Sequence, residues 1–307
     1  MECCICKAGE NLGFIKEING YKLYQCARCG IIFSDPMKNP GSSWYENAEI
    51  YQIGRLFSTG KTAWYHNQFL KMGEAKGKNI MDLGCGFGQF LNAAKNLGYD
   101  AYGIDFDTQS LEVAREKFKL TNISQATIEE FIKINPEIKF DYVTFFEVLE
   151  HVASPVDFIN GLKKLLKTNG QIAFSFPNRD RLFDPLGEDD NPPNHLTKWN
   201  ENSLIKFLDI CGFEAVKLTV KDLKKEDFIM FLKSKFKTGL IKKMIRESKK
   251  ESNSKPLKKA RILNNIKETV YFLISLIASP VFWLIYLVGA YKKKGGGIYC
   301  QARLKLK

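Results

Sequence analysis

Four of the eight cysteines in this chain occur as two Cys-x2-Cys pairs. Cys3 and Cys6 form the first pair, and Cys26 and Cys29 follow after nineteen residues. Two pairs at such a separation are typical of a zinc ribbon, in which four thiolates complete a tetrahedral site and leave no open position for catalysis. Cys4 lies beside Cys3 and could replace it as a ligand. The pattern therefore predicts a structural zinc site in which the first ligand is Cys3 or Cys4.

The residues between the two pairs support this interpretation. Residues 14–18 and 21–24 have the composition of two short strands, and Asn19-Gly20 between them is typical of a tight hairpin turn. Gly30 follows the second pair, where a metal knuckle needs a residue without a Cβ. We therefore predict a β-hairpin between the two metal knuckles.

A glycine-rich loop is the second group of residues suited to chemistry. The apolar run 79–83 contains an acid and is followed by Gly-Cys-Gly-Phe-Gly at 84–88; apolar residues then recur at helical spacing over 90–97. A second short strand ends in Asp105, 21 residues beyond Gly84. An acid at that position can hold both ribose hydroxyls of a nucleotide-like ligand. The Gly-x-Gly-x-Gly spacing differs from the dinucleotide motif and argues against a bound pyrophosphate.

Histidine is the side chain best suited to accept a proton near neutral pH, and the chain has only His66, His151 and His195. His151 and His195 follow the predicted fourth and fifth strands of the main sheet, so both are expected on the rim that holds the ligand. For His151, a role as base or metal ligand and a structural role in the turn before Pro155 both remain open. His195 is better placed to meet an acceptor, and His66 is expected to pack.

Alternating strand and helix patterns position these residues. The predicted strands of the main sheet are 79–83, 101–105, 120–125, 140–145, 171–176, 215–220 and 298–304. Helices are predicted between several of them, including 156–166 and 202–211. This alternation predicts an α/β fold, a Rossmann-like seven-stranded, mostly parallel sheet with helices on both faces. Ligands of such sheets bind beyond the carboxyl ends of the strands.

Three motifs in this order resemble the class I S-adenosylmethionine-dependent methyltransferases. They are Met-Asp-Leu-Gly-Cys-Gly-Phe-Gly at 81–88, Gly-Ile-Asp at 103–105, and the segment 140–152 that ends in Glu-His-Val. The chain is most similar to the branch that includes the ubiquinone-biosynthesis O-methyltransferases, over about residues 78–220 and the last ten residues. The resemblance implies a methyltransferase enzyme with S-adenosylmethionine as cofactor. Many bacterial members with an N-terminal four-cysteine module act in cell-surface polysaccharide pathways.

The resemblance also implies which residues bind the cofactor. Three loop glycines let the backbone approach its methionine part, Asp82 orients the loop, and Asp105 binds the ribose. Aromatic and apolar side chains flank the adenine and the methionine. The complete implied set is Asp82, Gly84, Cys85, Gly86, Gly88, Asp105, Phe106, Thr127, Ile128 and Phe146.

The catalytic candidates are His151, His195 and Glu147. In the ubiquinone enzymes a Glu-x-x-Glu-His cluster is linked to a divalent metal, and Glu147, Glu150 and His151 match it. On a helix, Glu147 and His151 would be four residues apart and share one face. The resemblance therefore implies a possible divalent-metal site at these three residues.

An uncharged apolar stretch covers residues 270–290, and the basic segment 233–267 precedes it. Residues 221–307 carry 22 Lys/Arg and 6 Asp/Glu, whereas residues 1–220 carry 24 and 28, so the excess of positive charge lies in the last third. A single membrane crossing would separate the last strand from its sheet. The alternatives are a hairpin bent at Ser279-Pro280, an interfacial segment, or a lid or dimer interface. A basic flank beside an apolar run favours contact with a membrane.

These observations divide the chain into five parts. We predict a zinc ribbon at 1–45, a helical linker at 46–77, a methyltransferase core at 78–220, a basic and apolar insertion at 221–296, and the last core strand at 297–307. The apolar content excludes a disordered chain. The first residues lack the basic and apolar regions of a secretory signal, so free thiols and metal, not disulfides, are expected.

The leading hypothesis is O-methylation of a lipid-linked sugar, a cell-surface polysaccharide precursor or a quinone-like acceptor, by an enzyme peripheral on the cytoplasmic face of the membrane. An RNA methyltransferase that grips RNA with the zinc ribbon and the basic segment is the weaker alternative, since 233–267 contains only one aromatic residue, Phe236. A deoxysugar C-methyltransferase is disfavoured, because the long C-terminal domain of that group is absent from this sequence. A membrane scaffold without turnover is the non-enzyme alternative. The acceptor and the oligomeric state are not specified by the sequence.

Overall fold

The computed structural model describes residues 1–41, 44–45, 60–72, 75–183, 187, 190–225, 227–228, 231, 276, 279–287 and 294–305. The chain forms two compact units: the first comprises 1–179, 186–219 and 297–307, and the second comprises 180–185 and 220–296. The basic segment 233–267 and much of the apolar stretch 270–290 lie outside the described residues.

The first unit contains eleven named strands and six named helices among the described residues. The strands are β1 (Leu12–Ile18), β2 (Tyr21–Cys26), β3 (Ile32–Asp35), β4 (Asn79–Leu83), β5 (Asp100–Asp105), β6 (Ile123–Gln125), β7 (Phe140–Phe146), β8 (Leu166–Pro177), β9 (Thr197–Lys198), β10 (Phe213–Val220) and β11 (Gly297–Leu304), although Val220 itself falls in the second unit. The helices are α1 (Trp64–Leu70), α2 (Gln89–Asn96), α3 (Thr108–Phe118), α4 (Ile128–Ile134), α5 (Pro155–Lys163) and α6 (Glu201–Ile210).

The main sheet has seven strands in the order β10-β11-β8-β7-β4-β5-β6. β4, β5, β6, β7 and β8 pair in parallel, whereas β11 runs antiparallel to β8. The predicted Rossmann-like α/β fold is therefore confirmed. The strands β5 and β7 lie on opposite sides of β4, so the order of the strands reverses at β4. In folds of this kind, ligands bind in the crevice at the carboxyl ends of the strands where the order reverses.

β8 is longer than predicted. The sequence predicts a helix over 156–166 and a strand over 171–176, but the strand starts at Leu166 and continues through Asn169 and Gly170. The pairing register shifts there, from Phe140 opposite Leu166 to Tyr142 opposite Gln171, so β8 has extra residues between the two pairs. A Cβ at Gly170 would lie 2.9 Å from the Phe140 carbonyl oxygen, so glycine suits this close approach of the two strands.

A second, smaller sheet has the order β1-β2-β3-β9. β1 and β2 form the predicted antiparallel hairpin, with Ile18 opposite Tyr21 across the Asn19-Gly20 turn. Both turn residues have positive φ, 53° and 78°, as a type I′ turn requires. The fourth strand, β9, comes from a distant part of the chain and follows β8 and its loop.

The second unit has its own apolar cluster. Residues 279–287 are helical, and Phe282 from this helix packs with Leu223 and Phe228, all three being buried. We call residues 279–287 the apolar helix. None of the helices that the structure describes combines the length and the apolar character needed to cross a bilayer.

Candidate active site

The glycine loop joins β4 to α2 at the carboxyl edge of the main sheet. Gly84, Gly86 and Gly88 have φ values of 72°, 48° and 75°, in the left-handed region that favours glycine. A side chain at residue 88 would also clash, because a Cβ on Gly88 would lie 2.6 Å from a methyl carbon of Leu120. The amides of Gly84 and of the next residue donate to the Ile104 carbonyl oxygen at 2.8 and 3.2 Å, so the loop is tied to β5.

Asp105 ends β5 and belongs to the same network. One carboxylate oxygen accepts a hydrogen bond from the Gly86 amide at 2.8 Å, and the other accepts one from the Asp107 amide at 2.8 Å. Burial raises the pKa of this carboxyl above its usual value. Each oxygen retains a second lone pair, so the group can hold the loop and also accept hydrogen bonds from two neighbouring hydroxyls.

The cluster of polar side chains after β7 and β8 is the second part of the site. His151 ends a short 3-10 turn, and its ring centroid lies 4.7 Å from that of His195. His195 Nδ1 is 3.3 Å from an Asp190 carboxylate oxygen, and His151 Nδ1 is 2.6 Å from the Asn194 carbonyl oxygen. The structure thus brings both predicted histidines together on the sheet edge.

Glu150 completes this cluster. It is 1% exposed, and among the residues that the structure describes neither carboxylate oxygen has a hydrogen-bond partner. Burial raises the pKa of Glu150 well above its ordinary value, and the nearby carboxyl of Glu147 raises it further. One ligand atom from each of Glu150, His151 and His195 lies within 4.8 Å of the others, a grouping that fits a single metal ion.

Comparisons with known proteins identify the family to which this chain belongs. A family model described as a methyltransferase domain matches residues 62–218. The ubiquinone biosynthesis O-methyltransferase of Histophilus somni is 31% identical over 206 residues, which cover 59% of this chain and 84% of that protein. The chain belongs to the S-adenosylmethionine-dependent methyltransferases.

Two further comparisons set the extent of the likeness. The ubiquinone biosynthesis O-methyltransferase of Actinobacillus pleuropneumoniae serotype 5b is 40% identical over 110 residues, 34% of this chain and 47% of that protein. The methyltransferase chain thus spans about half the length of that relative. A S-adenosylmethionine-dependent methyltransferase of Archaeoglobus fulgidus has the same fold, with a TM-score of 0.52 and 17% identity over 83% of this chain and 100% of that one.

The glycine loop and Asp105 lie together at the carboxyl edge of the main sheet, where the sequence predicts that the cofactor binds. The other residues assigned to the cofactor from the sequence occupy different settings. Phe106 is 46% exposed at the end of β5, and Thr127 caps α4 by accepting a hydrogen bond from the Glu130 amide. Ile128 is the first residue of that helix. The Cys85 and Phe146 side chains lie in the hydrophobic core of the first unit.

Asp82 lies beneath the loop, 3% exposed, and accepts a hydrogen bond of 2.6 Å from the Thr144 hydroxyl. Burial raises the pKa of this carboxyl to about 8. Its folded-state pKa therefore exceeds the unfolded value, so its stabilising contribution is complete below about pH 4 and is lost as the pH rises through about 8.

We expect Asp82→Asn to flatten this pH dependence in the cofactor-free methyltransferase. Asparagine keeps the oxygen that accepts from Thr144 and removes the titration. Urea unfolding at pH 5 and pH 8 should show the wild type losing a few kcal/mol more than the variant. A loss of the same size in both proteins would contradict the assignment of the titration to Asp82.

The sequence prediction for Glu147 was wrong in one respect. Glu147 does not share a helical face with His151, because it has a φ of 55° and the 3-10 turn begins only at Leu149. Its carboxylate accepts a hydrogen bond of 2.6 Å from the Ser175 hydroxyl. The grouping around His151 therefore contains His195 in place of Glu147.

His66 occupies the packing position that was expected of it. It lies on α1, its Nδ1 accepts a hydrogen bond of 3.1 Å from the Ala63 amide, and its ring contacts Phe90 and Phe146. Burial lowers the pKa of His66 to about 4, so the ring is neutral near pH 7.

Sequence reasoning missed three residues around the histidines. Asp190 pairs with His195, Tyr45 places its hydroxyl 3.4 Å from His151 Nδ1, and the Asn39 amide donates to the His151 carbonyl oxygen at 3.0 Å. Asp190 stands in an acidic run just before the loop that carries His195, and this run was a usable signal. Asn39 and Tyr45 have no such signal, since only the fold brings them near.

The four paired cysteines are also brought together. Cys3 and Cys29 have sulfurs 3.5 Å apart, those of Cys6 and Cys26 are 3.6 Å apart, and all four lie within 4.8 Å of one another. Tetrahedral zinc with bonds of about 2.3 Å requires sulfurs about 3.8 Å apart, so the cluster fits the ion. Cys4 is not among the four.

Proposed function

We propose that this methyltransferase methylates an oxygen of an amphiphilic acceptor at the cytoplasmic face of a membrane. A lipid-linked sugar, a cell-surface polysaccharide precursor and a quinone-like ring all have the required chemistry. The observation that carries the proposal is the His195–Asp190 pair next to His151, at the carboxyl edge where the cofactor binds.

His195 is the proposed base. An Asp190 carboxylate oxygen lies 3.3 Å from His195 Nδ1 and can accept its N–H, and Nε2 would then take the proton of an acceptor hydroxyl. Bound S-adenosylmethionine supplies an electrophilic methyl group. The acceptor oxygen forms the new bond to the methyl carbon, the bond from that carbon to sulfur breaks, and the proton passes to His195. S-adenosylhomocysteine leaves as a neutral thioether.

The orphaned Glu150 carboxylate supports a second role for the same cluster. Glu150, His151 and His195 would supply one oxygen and two nitrogen ligands to a divalent cation. A cation there would lower the pKa of the acceptor hydroxyl, and His195 would then act as a ligand and not as a base. Turnover that is unaffected by a chelator, under conditions that leave the cysteine site loaded, would favour the base.

The cofactor assignment gives its own prediction. Asp105→Ala should weaken S-adenosylmethionine binding by about 1.5–3 kcal/mol, roughly 10- to 150-fold, because the ribose loses charged acceptors and the Gly86 amide loses its partner. Calorimetry of the purified variant measures the change. Asp100→Ala, at the exposed amino end of β5, is the control and should bind as the wild type does. An unchanged dissociation constant for Asp105→Ala would refute the ribose role.

Membrane contact is supported by the apolar helix. Its outward side chains are large and apolar: Trp283 is 51% exposed, Leu284 67% and Leu287 78%. Phe282 and Tyr286, by contrast, stack on each other in the apolar cluster of the second unit. A short helix with one face packed and one exposed apolar face suits insertion at the lipid interface, where tryptophan is favoured.

The full-length protein should therefore stay with membranes in 1 M salt and leave them in detergent, because salt screens charge but not hydrocarbon burial. Changing Trp283, Leu284 and Leu287 to Ser should make it extractable by salt, since each side chain contributes about 1.5 kcal/mol or more when buried. Phe282 is left intact because it is part of the packed cluster.

Ile205→Ser with Ile210→Ser is the matched control, since both side chains are about half-exposed in the first unit. This control should remain with the membranes. Release of the wild type without detergent at any salt concentration would refute membrane contact and favour the lid or dimer interface.

The acceptor class is tested by incubating the enzyme with methyl-labelled cofactor and either a membrane lipid extract or total RNA. We expect label in the lipid fraction. Label in RNA would support the RNA alternative, in which the zinc ribbon and the segment 233–267 bind the substrate. No cofactor binding in calorimetry would support the non-catalytic scaffold.

A further inference from the structure

The loop that carries His195 completes the small sheet of the cysteine module, by which we mean residues 1–41. β9 begins two residues after His195 and pairs antiparallel with β3, with Phe33 opposite Thr197. Between them, both the amide and the hydroxyl of Ser34 donate to the Leu196 carbonyl oxygen at 2.9 Å. Ser34 is fully buried, so these bonds are shielded from water.

β3 is in turn placed by the second metal knuckle. Cys29 is three residues before Ile32, the first residue of β3. The Cys26 amide donates to the Ile31 carbonyl oxygen at 2.9 Å, and the Gly30 amide donates to the Cys26 carbonyl oxygen at 2.8 Å. The second knuckle, with Cys26 and Cys29, and the start of β3 therefore form one short, hydrogen-bonded structure.

The cysteine module makes two further hydrogen bonds near the histidines, one to the loop that carries His195 and one to His151 itself. The Asn19 side chain, at the hairpin turn, donates to the Pro192 carbonyl oxygen at 2.8 Å, three residues before His195. Asn39 donates to the His151 carbonyl oxygen at 3.0 Å. On its other side the loop is held by the core, through the Leu196 amide and the Glu150 carbonyl oxygen at 2.8 Å. The loop is thus hydrogen-bonded to the cysteine module on one side and to the core of the first unit on the other.

The cofactor half of the site is held differently. The amides of Gly84 and Cys85 bond to β5, and the Gly86 amide bonds to Asp105. These partners belong to the main sheet, and their positions depend on the packing of β4 against β5.

We propose that the cysteine module, through its bound metal, positions the acceptor half of the active site, by which we mean residues 190–198 together with His151. The module does not position the cofactor half. Loss of the metal frees β3, and through β9 it releases residues 190–198 with His195 and the neighbouring His151. The inference rests on the proposed function for its catalytic meaning, but the mechanical link does not depend on which residue is the base.

The test uses the full-length protein with zinc bound and measures structure without an acceptor. Asn19→Gly with Ser34→Ala removes two side-chain bonds to the loop and leaves all cysteines in place; glycine suits the positive φ of residue 19. Tyr21→Phe is the matched control, because its hydroxyl donates to the Lys38 carbonyl oxygen within the module and its bond is exposed.

Three readouts separate the outcomes. Hydrogen exchange of residues 190–198 should become about tenfold faster in the double variant and faster still in Cys26→Ser with Cys29→Ser. The imidazole NMR signals of His151 and His195 should shift while that of His66 stays, which is resolvable because the chain has three histidines. The dissociation constant for S-adenosylhomocysteine should remain within twofold of the wild type, as should all readouts for Tyr21→Phe.

Unchanged exchange and unchanged imidazole signals after the metal is lost would overturn the proposal. Loss of S-adenosylhomocysteine binding together with faster exchange in the main sheet would also overturn it, since the module would then stabilise the whole first unit. If instead the proposed function is wrong, His195 variants would remain active or the label would appear in RNA. The three readouts would then still change as predicted here.

Discussion

Replacing His195 by Gln should lower the rate of methyl transfer by about 10²- to 10⁴-fold, the usual contribution of a positioned general base. Glutamine is close to histidine in size and can still donate toward Asp190, but it cannot accept a proton near neutral pH. The assay follows labelled methyl transfer from S-adenosylmethionine into a membrane lipid extract at saturating cofactor. Calorimetry should show unchanged cofactor binding, because the loss falls on the chemical step.

Asp190→Asn provides the companion measurement. Asparagine cannot stabilise a protonated imidazole as a carboxylate does, so we expect a smaller loss than for His195→Gln. Turnover of His195→Gln within threefold of the wild type would exclude His195 as the base, and His151 with Tyr45 would become the pair to test.

The purified protein should contain about one zinc ion per chain, and Cys26→Ser with Cys29→Ser should remove it. Apparent binding free energies of structural zinc are on the order of 10 kcal/mol, and this energy stabilises the small sheet as it forms. We therefore expect the double variant to lose protection from proteolysis over residues 1–41. Metal analysis by mass spectrometry and limited proteolysis measure the two effects.

Cys4→Ser is the control for the zinc experiment. The sulfur of Cys4 is not among the four that lie within 4.8 Å of one another, so this variant should keep its zinc. It also decides between the two possible first ligands, since loss of zinc in Cys4→Ser would favour Cys4 over Cys3. An intact protein that contains no zinc would refute the proposed metal site.

The sequence alone located the residues that are proposed to form the cofactor half of the site. A glycine loop between a strand and a helix, and an acid at the end of the next strand, are local signals, because each depends on the backbone of a few neighbouring residues. Gly84, Gly86, Gly88 and Asp105 could therefore be named before the fold was known. The hairpin between the cysteine pairs was predictable for the same reason, since Asn19-Gly20 suits the positive φ values observed there.

Side-chain direction was harder to read from the sequence. The apolar stretch 270–290 left a bent hairpin, an interfacial segment and a lid or dimer interface as alternatives, because composition does not show which face of a helix packs. The structure places Phe282 inside the second unit and Trp283 outside. The prediction for Glu147 was wrong for a similar reason. Two residues four apart share a face only on a regular helix, and Glu147, with a φ of 55°, is not helical.

Only the tertiary structure decided the acceptor half. Asn39 and Tyr45 are far in the chain from His151, Asp190 and His195, and no local pattern connects the two groups. They meet because β9 pairs with β3 and because β7 and β8 end at the same edge of the sheet. Such contacts depend on how whole elements pack, whereas the cofactor loop depends on backbone conformation within a few residues; the first is a property of the fold and the second of the sequence.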